Sequence, residues 1–314
     1  MKLTVESSPH IRSSQKTGRI MLDVILALLP ALAVGIAVHG VQALWVTLIC
    51  IGAAVIVEGI CCAVVLPHNT LRNGSAVVTG LLLAMTLPAS VPLWLAAVGG
   101  AFAILFTKLL GGGLGQNVFN PALSARALML LLCPSGMVHY LVPGTDAVTA
   151  ATPLHHMVRP ELPEEHLAEL FLGRCSGSIG ELSTLALLIG GGYLLWRRVI
   201  SWRIPTAYLG TVALLTLVFY KTDDPVLWML CQLCSGGVVL GAIFMATDYA
   251  SSPVTPRGRL LYGVGCGALT VLLRYYGLFP EGVTYAILLM NALAWWIEER
   301  TPPRRFGTAK GGAA

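Results

Sequence analysis

The sequence predicts an all-α polytopic membrane protein, with about ten transmembrane helices in two inverted five-helix repeats and one extracytoplasmic loop region. Three observations carry this expectation. Of 314 residues, 56% are hydrophobic and only 11% are charged, with a mean hydropathy of +0.77. Soluble domains carry about 25% charged residues, so this chain has too few charges to cover a water-facing surface. The apolar residues fall in long blocks, without the period of an amphipathic helix or strand. Several blocks reach the roughly 20 residues that cross about 30 Å of hydrocarbon. Finally, two stretches far apart in the chain resemble each other.

The first block, Ile20–Val38, follows Lys2, Arg12, Lys16 and Arg19. A signal peptide would need a small-residue cleavage site, but none closes the block and another span follows at once. The remaining spans are expected near 44–66, 75–88, 93–110, 118–133, 182–198, 205–220, 226–247, 260–276 and 282–298. The third and fifth are short, which a bilayer tolerates only where protein or a polar cavity covers the freed backbone groups. The expected organisation is a first membrane repeat over 1–133, a loop region over 134–181, a second repeat over 182–300 and a tail over 301–314. Within the loop, Pro160 to Leu172 has the composition of a short surface helix.

Sidedness follows from Lys and Arg. With the N-terminus in the cytoplasm, fifteen of the 20 basic residues fall on cytoplasmic segments and four on outer ones, leaving Arg126 deep in a span. The net charge of +5 is therefore a topology signal and excludes a nucleic-acid footprint. Both termini are expected inside, and the loop outside. Trp45, Trp94, Trp196, Trp202, Trp228 and Trp295 sit near span ends, as an interfacial belt does. The eight cysteines form no disulfide framework. Most read as small buried hydrophobes, and the redox spacing of Cys231 and Cys234 lies inside a span without a βαβ context.

The repeat pairs 76–92 with 237–253, identical without a gap at Val77/Val238, Val78/Val239, Gly80/Gly241, Thr86/Thr247, Ala89/Ala250, Ser90/Ser251 and Pro92/Pro253. Five spans per copy is an odd number, so the copies cross in opposite directions, and sites in such folds lie where broken helices of the two halves meet. The competing reading is that these small residues only allow close helix packing.

Within the outer loop stands Asp146-Ala-Val-Thr149-Ala150-Ala151-Thr152-Pro-Leu154. Read bare, it is a turn or helix cap, since Asp and Thr favour such positions. It also resembles the flavinylation motif of bacterial membrane redox complexes, D-x-x-[ST]-[GA]-A-T. That resemblance implies a phosphoester between FMN and the Thr152 hydroxyl, made by an exported, magnesium-dependent flavin transferase with FAD as donor and AMP as leaving group. Thr149 then supports recognition and Ala150 stands where Gly is more usual, with Asp146 and Ala151 completing the motif.

Further stretches extend the resemblance along most of the chain: Ser75–Ala84 with Leu87-Pro88, Gly112–Ala122, Met245–Pro253 and Leu288–Ala292. Together they resemble the D subunit of Rnf complexes, which are ion-translocating ferredoxin:NAD oxidoreductases, and its homologue, the B subunit of the sodium-translocating NADH:quinone reductase. The family implies a component of an electron-transport complex in a bacterial or archaeal cytoplasmic membrane, with the other Rnf-type subunits as partners. It also implies electron relay through covalent FMN, coupled to movement of Na⁺ or H⁺. The sister protein's riboflavin leaves room for a second, non-covalent flavin. No P-loop, Rossmann glycine pattern or hydrolytic triad is visible, so NAD is expected on a partner subunit.

Charged residues inside spans are functional candidates. Arg126 is placed to hold the FMN phosphate or a reduced isoalloxazine, or else to pair with Glu58 or Asp23. Glu58 and Asp248 are ion-path candidates, Asp248 being equally a helix end, and Asn120-Pro121 is expected to line a cavity. His155 and His156 follow Thr152 closely enough to meet a flavin or the transferase, or simply solvent. An inverted-repeat transporter or channel without redox chemistry is the rival on architecture alone, and the D-x-x-T-A-A-T motif separates the two.

Overall fold

Each of the ten apolar blocks contains a helix in the computed structural model, which describes residues 17–64, 71–106, 115–141, 148–149, 152–157, 162–163, 166–277 and 282–302. In the first half these are α1 (Thr17–His39), α2 (Val41–Val64), α3 (Ser75–Met85), α4 (Leu93–Ile104) and α5 (Pro121–Leu132). A two-stranded ladder follows, β1 (Tyr140–Leu141) with β2 (Val148–Thr149), then the short helices α6 (Pro153–His156) and α7 (Leu167–Leu172). The second half holds α8 (Thr184–Trp196), α9 (Arg203–Val218), α10 (Pro225–Cys234), α11 (Val238–Met245), α12 (Pro256–Tyr276) and α13 (Val283–Arg300).

Local sequence explains where several of these helices begin. Asn120, Asp224 and Thr255 each precede a proline and each accepts hydrogen bonds from backbone N–H groups of the first turn. A polar cap followed by proline is the favoured start of a helix, because proline's missing N–H would be an orphan there anyway.

Length divides the helices into two kinds. Among the described residues only α1 and α2 are long and apolar enough to cross a membrane by length and composition, and α10 with α11 makes a third if taken as one span. That eighth block is not the continuous helix expected over 226–247: it bends by 63° at Ser235–Gly237. Its second piece begins as an α-helical turn and continues as the π-helical Gly241–Met245. Likewise α3 stops after 11 residues, about 16 Å of rise. The loop completes the layer above it: the Ile179 N–H donates to Leu87 O at 3.0 Å and the Gly180 N–H to Met85 O at 2.8 Å. The end of the 134–181 loop, Cys175–Leu182, is thus buried and caps a short helix.

The two stretches that resemble each other in sequence contain the most completely buried helices. All of α3 except Val77 is buried, and so is every residue of α11. Around them α2 packs on α3 and α4, α9 packs on α12 and α10, and α1 packs on α8. Small residues let backbones meet: a Cβ on Gly100 would lie 2.6 Å from Cys50 O, and one on Gly263 2.9 Å from Ile204 O. The distribution of polarity is that of a membrane protein. Glu58, Arg126, Gln232, Arg274 and Asn291 are buried, whereas Ile56, Ile60, Leu131, Ile189, Leu214 and Leu272 are exposed.

Candidate functional site

Thr152 sits immediately before α6 and is 8% exposed. Two residues on, buried Leu154 packs on the break between α10 and α11: a Cβ on Gly236 would lie 2.9 Å from Leu154 Cδ2 and 3.1 Å from Arg274 Nη2. Gly236 has a φ of 60°, the left-handed region where glycine is favoured, so both the bend and the close approach select it. On the other side the segment is steadied by β2, where Thr149 pairs with Tyr140 and Val148 with Leu141. Asp146, Ala150 and Ala151 lie outside the described residues.

Beneath this segment the fold gathers three charges, from α5, the 175–182 segment and α12. Arg126 of α5 lines a small cavity with Glu181, Thr86, Gly237 and Thr284. Glu181 Oε1 accepts from the Ser178 N–H at 2.8 Å, and a Cβ on Gly237 would lie 3.2 Å from Glu181 Oε2. Arg274 reaches in from α12 and donates from Nη1 to Gln232 O (2.6 Å) and Oε1 (2.9 Å), and from Nη2 to Ser235 O (2.8 Å). Those carbonyls are freed by the break in α10–α11, so the guanidinium satisfies backbone that hydrocarbon would leave bare. Tyr140 is buried beside the cluster. Burial and the Glu181 charge push its phenol up to about 12, against an opposing effect of Arg126. Sequence reasoning misses Glu181 and Arg274, since one reads as a loop acid and the other as an arginine near a span end.

A second site opens at the other end of the helices. It is a cavity lined by Ser75, Thr79, Asn117, Asn120, Thr247 and Asp248, with an apolar wall of α1, α3 and α8 residues such as Met21, Val78 and Leu194. Asn120 ties the halves together here. Its Nδ2 donates to Met245 O at 3.2 Å while Oδ1 caps α5. With its amide oriented to satisfy both neighbours, Asn291 accepts from the Asn120 N–H at 3.0 Å and donates to Ser251 O at 3.2 Å. Ser251, from the repeated A-S-x-P tail, also donates to Asp248 Oδ2 at 3.0 Å.

The candidates therefore separate into two groups. Arg126 belongs with Thr152's end of the bundle, and Asn120 and Asp248 line the opposite cavity. Glu58 is buried in α2 and lines neither. Asp23 does not pair with Arg126: its carboxylate takes the Arg197 guanidinium at 3.2 Å and the Tyr193 hydroxyl at 2.9 Å, because α1 packs along α8. All eight cysteines are free thiols, Cys231 and Cys234 included.

The sequence profile of the NQR2, RnfD, RnfE family matches residues 4–307, nearly the whole chain. This chain belongs to that family. Among curated relatives in the NQR2, RnfD, RnfE family, the chain is 48% identical to the D subunit of the Na⁺-translocating ferredoxin:NAD⁺ oxidoreductase complex of Acetobacterium woodii, over 99% of this chain and 97% of the relative. It is 42% identical to the proton-translocating counterpart of Clostridium ljungdahlii, over 98% and 97%. It is 34% identical to the D subunit of the ion-translocating oxidoreductase complex of Escherichia coli, over 99% and 100%. NQR2, RnfD, RnfE relatives named for either ion are thus similar over almost their full length.

Proposed function

We propose that the chain is the membrane-embedded D subunit of an ion-translocating ferredoxin:NAD oxidoreductase complex, and that it carries FMN as a phosphoester on Thr152. The observation that carries this reading is Thr152's position. The motif's last hydroxyl lies two residues before Leu154, which packs on the same α10–α11 break that the Arg274 guanidinium fills. The residues suit the group. A phosphodiester on Thr152 is an anion, and Arg274 and Arg126 supply positive potential from a buried position where it is weakly screened. Thr152 would hold the phosphate, Arg274 and Arg126 would orient it, and Glu181 would set the net charge of the floor. The bound flavin supplies the redox chemistry, while the protein positions and tunes it.

The whole-chain arrangement that goes with this reading is ten spans in two inverted repeats, with both termini in the cytoplasm and 134–181 outside. Its support is the matched packing of α2 on α4 and α9 on α12, and the central place of the two repeated segments. The cavity around Asn120 and Asp248 then faces the cytoplasmic end and has the mixed apolar and amide lining of a site for a second, non-covalent flavin such as riboflavin. Glu58 and Asp248 remain the ion-path candidates, and the partners are the other subunits of such a complex and a flavin transferase during maturation. The broken α10–α11 helix also suits a transporter, but a transporter has no use for an acceptor hydroxyl in D-x-x-T-A-A-T.

The test is co-expression with a flavin transferase, followed by denaturing electrophoresis under ultraviolet light. The expected outcome is a fluorescent band that Thr152→Ala abolishes and Thr149→Ala weakens. A dark wild-type band, or a bright Thr152→Ala band, overturns the assignment.

A further inference from the structure

The turn from α8 to α9 encloses a second concavity, distinct in its chemistry from the amide-lined cavity it adjoins. It is lined by Arg198, Ser201, Thr247, Ser252 and Arg259, together with Tyr249 and a short aliphatic wall. Two arginines and three hydroxyl-bearing residues line it, and no Asp or Glu does. Among the described residues neither arginine has an acidic partner: Arg259 donates only from Nε, to Pro253 O at 3.2 Å, and the Arg198 side chain makes no hydrogen bond.

The backbone is shaped around Arg198. It is the one non-glycine residue with positive φ among the described residues, at 56°. The Val199 N–H donates to Leu194 O at 2.9 Å and the Arg198 N–H to Leu195 O at 3.0 Å. This is the helix ending in which the left-handed position is ordinarily glycine, since a Cβ there costs about 1 kcal/mol. An arginine held at that position in spite of the strain points to a use for its side chain.

The depth of the site is marked by its neighbours. Trp196 and Trp202 bracket the turn at 78% and 57% exposure, and the Arg203 guanidinium lies 5.6 Å from the Trp202 ring centre. Exposed tryptophans of this kind sit at the level of lipid headgroups. At that level the most abundant anion is the lipid phosphate. We propose that the concavity binds the phosphate of an anionic phospholipid, with Arg198 and Arg259 as the charged partners and Ser201 as a hydroxyl donor. The inference rests on the chain being embedded in a membrane and not on the flavin. A headgroup seated there would close the mouth of the neighbouring cavity, because Val199, Ile200, Thr247 and Tyr249 line both.

The test uses the full-length protein in nanodiscs of equal phosphatidylglycerol and phosphatidylcholine, with retained lipids counted by native mass spectrometry. Phosphatidylglycerol is expected to be retained over phosphatidylcholine by about fivefold or more, the ratio one basic residue near a membrane surface supplies. Arg198→Gly suits the left-handed backbone and so preserves the fold, yet it should abolish the preference. Arg257→Gln removes the same charge from an exposed neighbouring position outside the cavity and should leave the preference unchanged. Equal retention of the two lipids by the wild type, or an undiminished preference in Arg198→Gly, overturns the proposal. An equal loss in Arg257→Gln also overturns it. Inorganic phosphate added during exchange separates the sources: displacement of the lipid assigns the site to free phosphate and sinks the lipid reading, while retention supports it.

Discussion

Arg274 is a charged side chain whose place in an apolar span follows from broken backbone. Its three hydrogen bonds to Gln232 and Ser235 close the gap where α10 stops and α11 begins. Arg274→Met should therefore cost about 3 kcal/mol or more, because it leaves buried carbonyls without donors. Unfolding of the purified protein in detergent measures this, and an unchanged midpoint would refute the role. In sequence, Arg274 shows only as a basic residue in the last turn of a span. Its partners lie about forty residues away, so nothing local announces them. Thr152 is the opposite case. Its motif is contiguous and legible, but the α10–α11 break on which Leu154 packs, and the α12 guanidinium that fills it, are not. Asp23 shows the limit of pairing charges by eye, since α1 lies along α8 and Arg197 claims it.

At the scale of elements, α3 and α11 are distinguished by what their glycines touch. A Cβ on Gly241 would lie 2.5 Å from Val283 Cγ1 and 3.2 Å from Ile287 Cδ1, which lets α11 lie against α13. Gly241→Ala should push those helices apart and destabilise the protein by about 1–3 kcal/mol. Gly192→Ala on α8 meets nothing within 4 Å and should be neutral or slightly stabilising, as an exposed helical glycine is. Thermal unfolding of the two variants in the same detergent makes the comparison, and equal effects would refute the packing account. Helix starts at Asn120, Asp224 and Thr255 are visible in sequence because a cap and a following proline are local. The break in α10–α11 is less so. Ser235-Gly-Gly hints at it, yet an apolar run on both sides reads as one span until Arg274 and Leu154 are seen wedged into the bend.

For the whole molecule, the prediction that matters is sidedness. A reporter active only outside the cytoplasm, fused near residue 160, should be active, and the same reporter at the C-terminus should be silent. Cytoplasmic activity near residue 160 would reverse the topology and detach Thr152 from an exported transferase. The membrane class, the approximate place of each apolar helix and the family resemblance are legible in the sequence alone, because hydropathy, caps and contiguous motifs are local properties of the chain. Only the tertiary structure decided that Cys175–Leu182 folds in to cap α3, that α10–α11 breaks around Arg274, and that Arg126 and Asp248 serve opposite ends of the bundle. Each of those depends on a buried polar group finding its partner across long sequence separations, and in an apolar interior that partner is set by packing geometry.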